Sequence, residues 1–97
     1  MKYSEMNAHE RLAFERVCNV MSEYIGGSEN MLEDYPEDSE EYAIAKRHLS
    51  KPHDEMIDEI YREVMMDSNR DVLKHLRFAG EAFIRERISK RLTKWGY

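Results

Sequence analysis

An all-α fold follows from three observations on this chain. Apolar residues recur at three- and four-residue intervals, helix-capping residues stand just before those runs, and no stretch alternates with the period of two that a half-buried strand requires. Together they predict a compact bundle of four to five helices with a long C-terminal helix, in a single helical domain spanning residues 1–97. The composition agrees: 36% charged against 41% apolar residues is the balance of a helical body with much surface and a modest core.

The first helix opens at Asn7-Ala8-His9-Glu10, which has the spacing of a capping box. Leu12, Val17, Val20, Met21, Tyr24 and Ile25 then recur on one face, and Gly26-Gly27 is expected to end the helix in a left-handed cap. Ser28 to Tyr35 reads as a short helical turn capped by Ser28, with Met31, Leu32 and Tyr35 inward, stopped by Pro36. Asp38 or Ser39 can cap the next helix, from about Glu40 to Leu49, which presents Tyr42, Ala45 and Leu49 with Ile44 beside them. Pro52 suits the first turn of a further helix over 53–66, with Met56, Ile57, Ile60, Val64 and Met65 as its inner row. A continuous helix kinked at Pro52 is the competing arrangement.

Ser68-Asn69-Arg70-Asp71 resembles a second capping box and opens the longest helix, to about Trp95. At 100° per residue, Val72, Leu73, Leu76, Ala79, Gly80 and Phe83 share one stripe, whereas Ile84, Ile88, Leu92 and Trp95 fall roughly a third of a turn away. Two geometries accommodate the change. A bend near Gly80 turns both stripes to one core, or the second half projects and Ile84, Ile88, Leu92 and Trp95 form a seam for another chain. The seam is the basis for expecting a homo-oligomer, a homodimer in the simplest case.

Charge divides the chain unevenly. Residues 1–69 hold 17 acids and 7 bases, net −10, while residues 70–97 hold 8 bases and 3 acids, net +5. An overall charge of −5 argues against non-specific nucleic-acid binding by the whole surface. Seven acids and no base lie between Glu29 and Glu41: Glu29, Glu33, Asp34, Glu37, Asp38, Glu40 and Glu41. Glu55, Glu59 and Glu63 add a row at i, i+4 spacing, where like charges repel. This acidic face is expected either to pair with Arg77 or Arg85 or to meet a basic protein, with carboxylates standing where phosphates would lie. Arg85, Arg87, Lys90, Arg91 and Lys94 form a basic tail that gives a nucleic-acid site as an alternative.

Cys18, the one cysteine, permits no internal disulfide, and together with the absence of a leader-like or membrane-length apolar run it suggests a cytoplasmic protein without membrane attachment. No metal or other cofactor is expected. None of His9, His48, His53 and His75 has an acid or histidine three or four residues after it, and glycine-rich phosphate loops are absent. Cys18 shares a flank with Phe14, Met21 and Ile25, the setting of a small apolar residue rather than a nucleophile.

One six-residue stretch carries chemistry. Arg70-Asp71-Val72-Leu73-Lys74-His75 resembles the Arg–polar–x-x-x–His motif of HEPN-type helical ribonucleases. That resemblance implies metal-independent RNA cleavage across a dimer, with Arg70 stabilising the pentacovalent phosphate and His75 moving a proton. The primary expectation is nevertheless non-enzymatic: a small acidic helical protein acting by protein–protein contact, as a regulator or inhibitor of a basic nucleic-acid-handling protein. Direct nucleic-acid binding and RNA cleavage stand as alternatives.

Overall fold

The computed structural model describes residues 1–67 and 69–97, and among them there is no strand. A 3-10 turn at Tyr3–Glu5 precedes α1 (Ala8–Met21), a π-helical turn (Ser22–Gly26), α2 (Gly27–Asp34), α3 (Glu40–Leu49), α4 (His53–Met65), α5 (Arg70–Ala79) and α6 (Glu81–Lys94). Since α1, the π turn and α2 run on without a break, the described residues form five helical rods. The molecule is elongated, 46 × 28 × 20 Å along its principal axes.

The expected capping box opens α1: the Glu10 amide donates to the Asn7 side chain at 2.8 Å, and the Asn7 amide donates to the Glu10 carboxylate at 3.0 Å. The expected stop at Gly26-Gly27 does not occur. Both glycines hold right-handed helical dihedrals (φ −63° and −61°), so the rod widens into a π turn and continues. Glycine permits the left-handed cap without compelling it. Ser28, expected as a cap, therefore lies inside the helix and is buried. What ends the rod is Pro36, because the residue before proline is driven to extended backbone and Tyr35 sits at φ −109°, ψ 147°. Tyr35, expected inward, is exposed as a result.

Ser39 caps α3, accepting from the Tyr42 amide. Pro52 is extended (ψ 150°) and separates α3 from α4, so the two helices are distinct rather than one kinked rod. Asn69 caps α5 by accepting from the Asp71 and Val72 amides, whereas Ser68, the first residue of the expected second box, lies outside the described residues. Arg16 was not singled out by sequence. Its guanidinium donates to the main-chain oxygens of Val64, Glu63 and Met66, neutralising the carbonyl end of α4.

Helical backbone runs from Arg70 to Lys94 with a single interruption at Gly80 (φ 94°, ψ 149°), a region open to glycine and strained for other residues. That interruption is the bend the shifted stripe required. It swings α6 so that Ile84, Ile88 and Leu92 enter the same core as Leu76, all four with no exposed surface. The expected seam for another chain is corrected accordingly, since three of its four residues are interior. Burying each of them contributes about 1.5–3 kcal/mol. Trp95 alone stays partly outside, 38% exposed.

The core joins Ala13, Val17 and Met21 of α1, Ile25 of the π turn, Met56, Ile60 and Val64 of α4, Leu76 of α5 and the three α6 residues. The hairpin of α2 and α3 packs chiefly upon itself and contributes only Ser28 and Ala45 to the buried residues. No helix among the described residues is long and apolar enough to cross a membrane.

Candidate functional site

The α2–α3 hairpin carries the acidic run. Glu33 and Asp34 occupy the last turn of α2, Glu37 and Asp38 the connection, and Glu40 and Glu41 the first turn of α3. All six are exposed, and among the described residues none makes an ion pair or a side-chain hydrogen bond. Glu40 and Glu41 suit the positive end of α3, but Glu33 and Asp34 sit at the negative end of α2, where no basic residue offsets them. The tip is thus charged beyond what helix stability favours. Tyr35, 44% exposed, stands among these carboxylates, and Ile44 is exposed on α3.

Not every residue of the expected acidic face belongs to the tip. Glu29 accepts from the Tyr97 hydroxyl at 2.6 Å, and that bond is the main reason the phenol is pushed up to about 12. Beside it, Ser22, Ile25, Gly26, Glu29 and Trp95 line an open cleft of about 470 Å³. Glu55 and Glu63 are exposed on α4. Glu59 is held at the base of the hairpin, where Lys51 and the Tyr24 hydroxyl both donate to its carboxylate. The Lys51 bond chiefly, and the Tyr24 bond next, hold Glu59 below the usual carboxylate range; burial and then that same bond push the Tyr24 phenol up. His48 of α3 stacks on Tyr24 at 5.4 Å, completing a joint between hairpin and body. The expected pairing of the acidic row with Arg77 or Arg85 takes another form, because Arg85 bonds Asp58 at 2.6 Å and lies near Glu81.

The ribonuclease-like residues share α5 but differ in exposure. Arg70 is the exposed first residue of α5 with no hydrogen bond among the described residues, whereas His75 is half-buried one turn on. His75 Nδ1 lies 2.7 Å from His9 Nδ1 of α1, so one ring donates and the other accepts. Phe78, 64% exposed, stacks on His9 at 4.9 Å. Sequence gave no access to this pair, whose members are 66 positions apart.

The basic tail divides between α4 and α1. Arg85 turns to Asp58 and covers Tyr61 at 4.5 Å, while Arg91 lies over Phe14 and Trp95. Burial pushes the Cys18 thiol up, against the opposing effect of Arg91, which leaves it a neutral, weakly nucleophilic group. No group of three or more histidine, cysteine, aspartate or glutamate side chains converges as a metal site among the described residues. Against this geometry, comparison of the chain with protein-family models, with curated proteins and with solved structures finds no match.

Proposed function

We propose that this is a non-enzymatic cytoplasmic contact protein whose α2–α3 hairpin docks on a basic protein, of the kind that handles nucleic acid, and regulates or inhibits it. One observation carries the reading. Six exposed carboxylates, without a partner among the described residues, flank the exposed Tyr35 along the chain in a hairpin whose only buried residues are Ser28 and Ala45. Apart from Glu40 and Glu41 at the positive end of α3, that charge gives the helices no stabilisation. An aromatic anchor inside a field of one sign suits steered association with a cationic surface, the aromatic providing contact area and the charge speeding encounter. Of the α6 stripe first expected to carry self-association, Trp95 alone remains partly exposed.

The test replaces Glu33, Asp34, Glu37, Asp38, Glu40 and Glu41 by their amides and compares capture of basic proteins from the native host. Wild-type protein should retain one at low salt and lose it as ionic strength rises, and the amide variant should retain none. Equal capture by both would refute the reading. Thermal stability of the variant should stay within about 0.5 kcal/mol of wild type, as for exposed sites without partners.

A second reading, metal-independent RNA cleavage, is supported by the His9–His75 pair, with Phe78 stacked on His9. Two hydrogen-bonded imidazoles can act as a general acid and a general base. Cleavage of single-stranded RNA in EDTA, lost in His75→Ala, is what it requires; an inactive wild type removes it.

A further inference from the structure

A cleft between α1 and α6 has a character unlike the hairpin. Phe14 closes one side of it and Arg87, Lys90, Arg91 and Lys94 the other, around a space of about 190 Å³ with no carboxylate in its lining. The Arg87 side chain is only 10% exposed. Its guanidinium lies over the Phe83 ring at 5.3 Å, its Nε is buried with no hydrogen-bond partner among the described residues, and its Nη2 lies 3.6 Å from the Glu86 carboxylate. A guanidinium is an obligate donor of five hydrogens, so burial without an acceptor is unfavourable. Arg91 is fixed over Phe14 and Trp95, and Lys94 has no ion pair among the described residues. Four cations thus line one small space, while the Nε of the most buried of them has no acceptor among the described residues.

We infer that this cleft binds a phosphate group, presented by a small phosphorylated molecule or by a nucleic-acid strand. A phosphate supplies several acceptor oxygens to a pre-positioned guanidinium and a charge that offsets the repulsion among Arg87, Lys90, Arg91 and Lys94. Phe14 offers a ring edge or face to an attached base. Two carboxylates work against the ligand from outside the lining. Glu86 holds Lys90 at 3.0 Å, and Glu15, on α1, is engaged by the Tyr3 hydroxyl at 2.9 Å. Glu86 acts as the resting counter-charge, which a doubly charged phosphate displaces from Lys90. The site is independent of the acidic hairpin: one takes cations and the other anions.

The experiment titrates ¹⁵N-labelled protein at low salt with inorganic phosphate, adenosine 5′-monophosphate and a ten-nucleotide single-stranded RNA, following the Arg87 Nε–Hε resonance. Saturable binding that shifts this resonance is expected. The double variant Lys90→Gln, Lys94→Gln alters exposed side chains alone and should weaken phosphate binding about tenfold or more. Glu86→Gln should tighten it. The hairpin amide variant should bind phosphate no less well than wild type, which keeps this outcome separate from that of the protein-docking reading. RNA binding far tighter than phosphate, with a salt dependence that falls when the lysines are replaced, identifies a nucleic-acid backbone as the source; comparable binding of all three probes identifies a small phosphate. An unmoved Arg87 resonance with every probe, or undiminished binding by the double variant, overturns the inference.

Discussion

The body of α1, α4, α5 and α6 and the hairpin of α2 and α3 are built from the same residue types under opposite constraints. In the body, isoleucine, leucine, valine and methionine from four helices close on one another with almost no exposed surface, and charges meet partners: Arg16 at the end of α4, Arg85 with Asp58. In the hairpin, Ala45 and Ser28 are the buried residues, Tyr35 and Ile44 face outward, and six carboxylates have no partner among the described residues. Mutual burial of large apolar side chains fixes an element, whereas small buried residues and like charges leave it attached at few points. The difference separates what folds the protein from what is left to meet other molecules.

The widest gap between the regions should appear on removing one methyl-bearing side chain from each. Ile88→Ala empties a fully buried site against α1 and α4 and should cost about 2–5 kcal/mol in urea unfolding. Ile44→Ala, at an exposed site on α3, should cost less than about 0.5 kcal/mol. A comparable loss at both sites would mean that the hairpin is as deeply integrated as the body. A smaller effect is expected at the bend. No neighbouring atom blocks a β-carbon at Gly80, but its φ of 94° strains any L side chain, so Gly80→Ala should cost about 1–3 kcal/mol in thermal unfolding. An unchanged melting temperature would show that α5 and α6 tolerate another junction.

Sequence periodicity placed the helical segments near their observed positions, with α5 and α6 read as one rod, because each carries an apolar row at helical spacing, and the cap at Asn7 was legible from its box. The face change beyond Phe83 was equally legible as geometry, but its meaning was not. A stripe rotated by a third of a turn reads alike whether it meets another chain or a core reached through a bend, and the choice depended on the backbone at Gly80, where glycine allows both. The same ambiguity misplaced the end of α1, since Gly26 and Gly27 stay right-handed. The acidic tip could be read from composition. The His9–His75 pair, the Arg16 cap and the buried Nε of Arg87 could not, because each depends on contacts or burial across helices far apart in sequence.

The joint between the regions provides the finest test. Glu59 of α4 receives Lys51, from the α3–α4 connection, and Tyr24, from the π turn, so one carboxylate ties both ends of the hairpin to the body. Its folded-state pKa is depressed by Lys51 and then Tyr24. A depressed carboxylate stabilises the fold fully above its unfolded value, about 4.3, and loses that contribution as pH falls through the lower folded value. Since Glu59 remains partly exposed, the stabilisation should resemble that of a solvated pair, about 0.2–1 kcal/mol. Glu59→Gln should therefore be slightly less stable than wild type at pH 7, and the gap should close in acid below the carboxylate range. Hydrogen exchange should localise the loss, with amides of α2 and α3 exchanging faster in the variant and those around Ile60 and Ile88 unchanged. Acceleration spread evenly over both regions would show that body and hairpin open as one unit, and a gap that persists at low pH would show that the ion pair is not its cause.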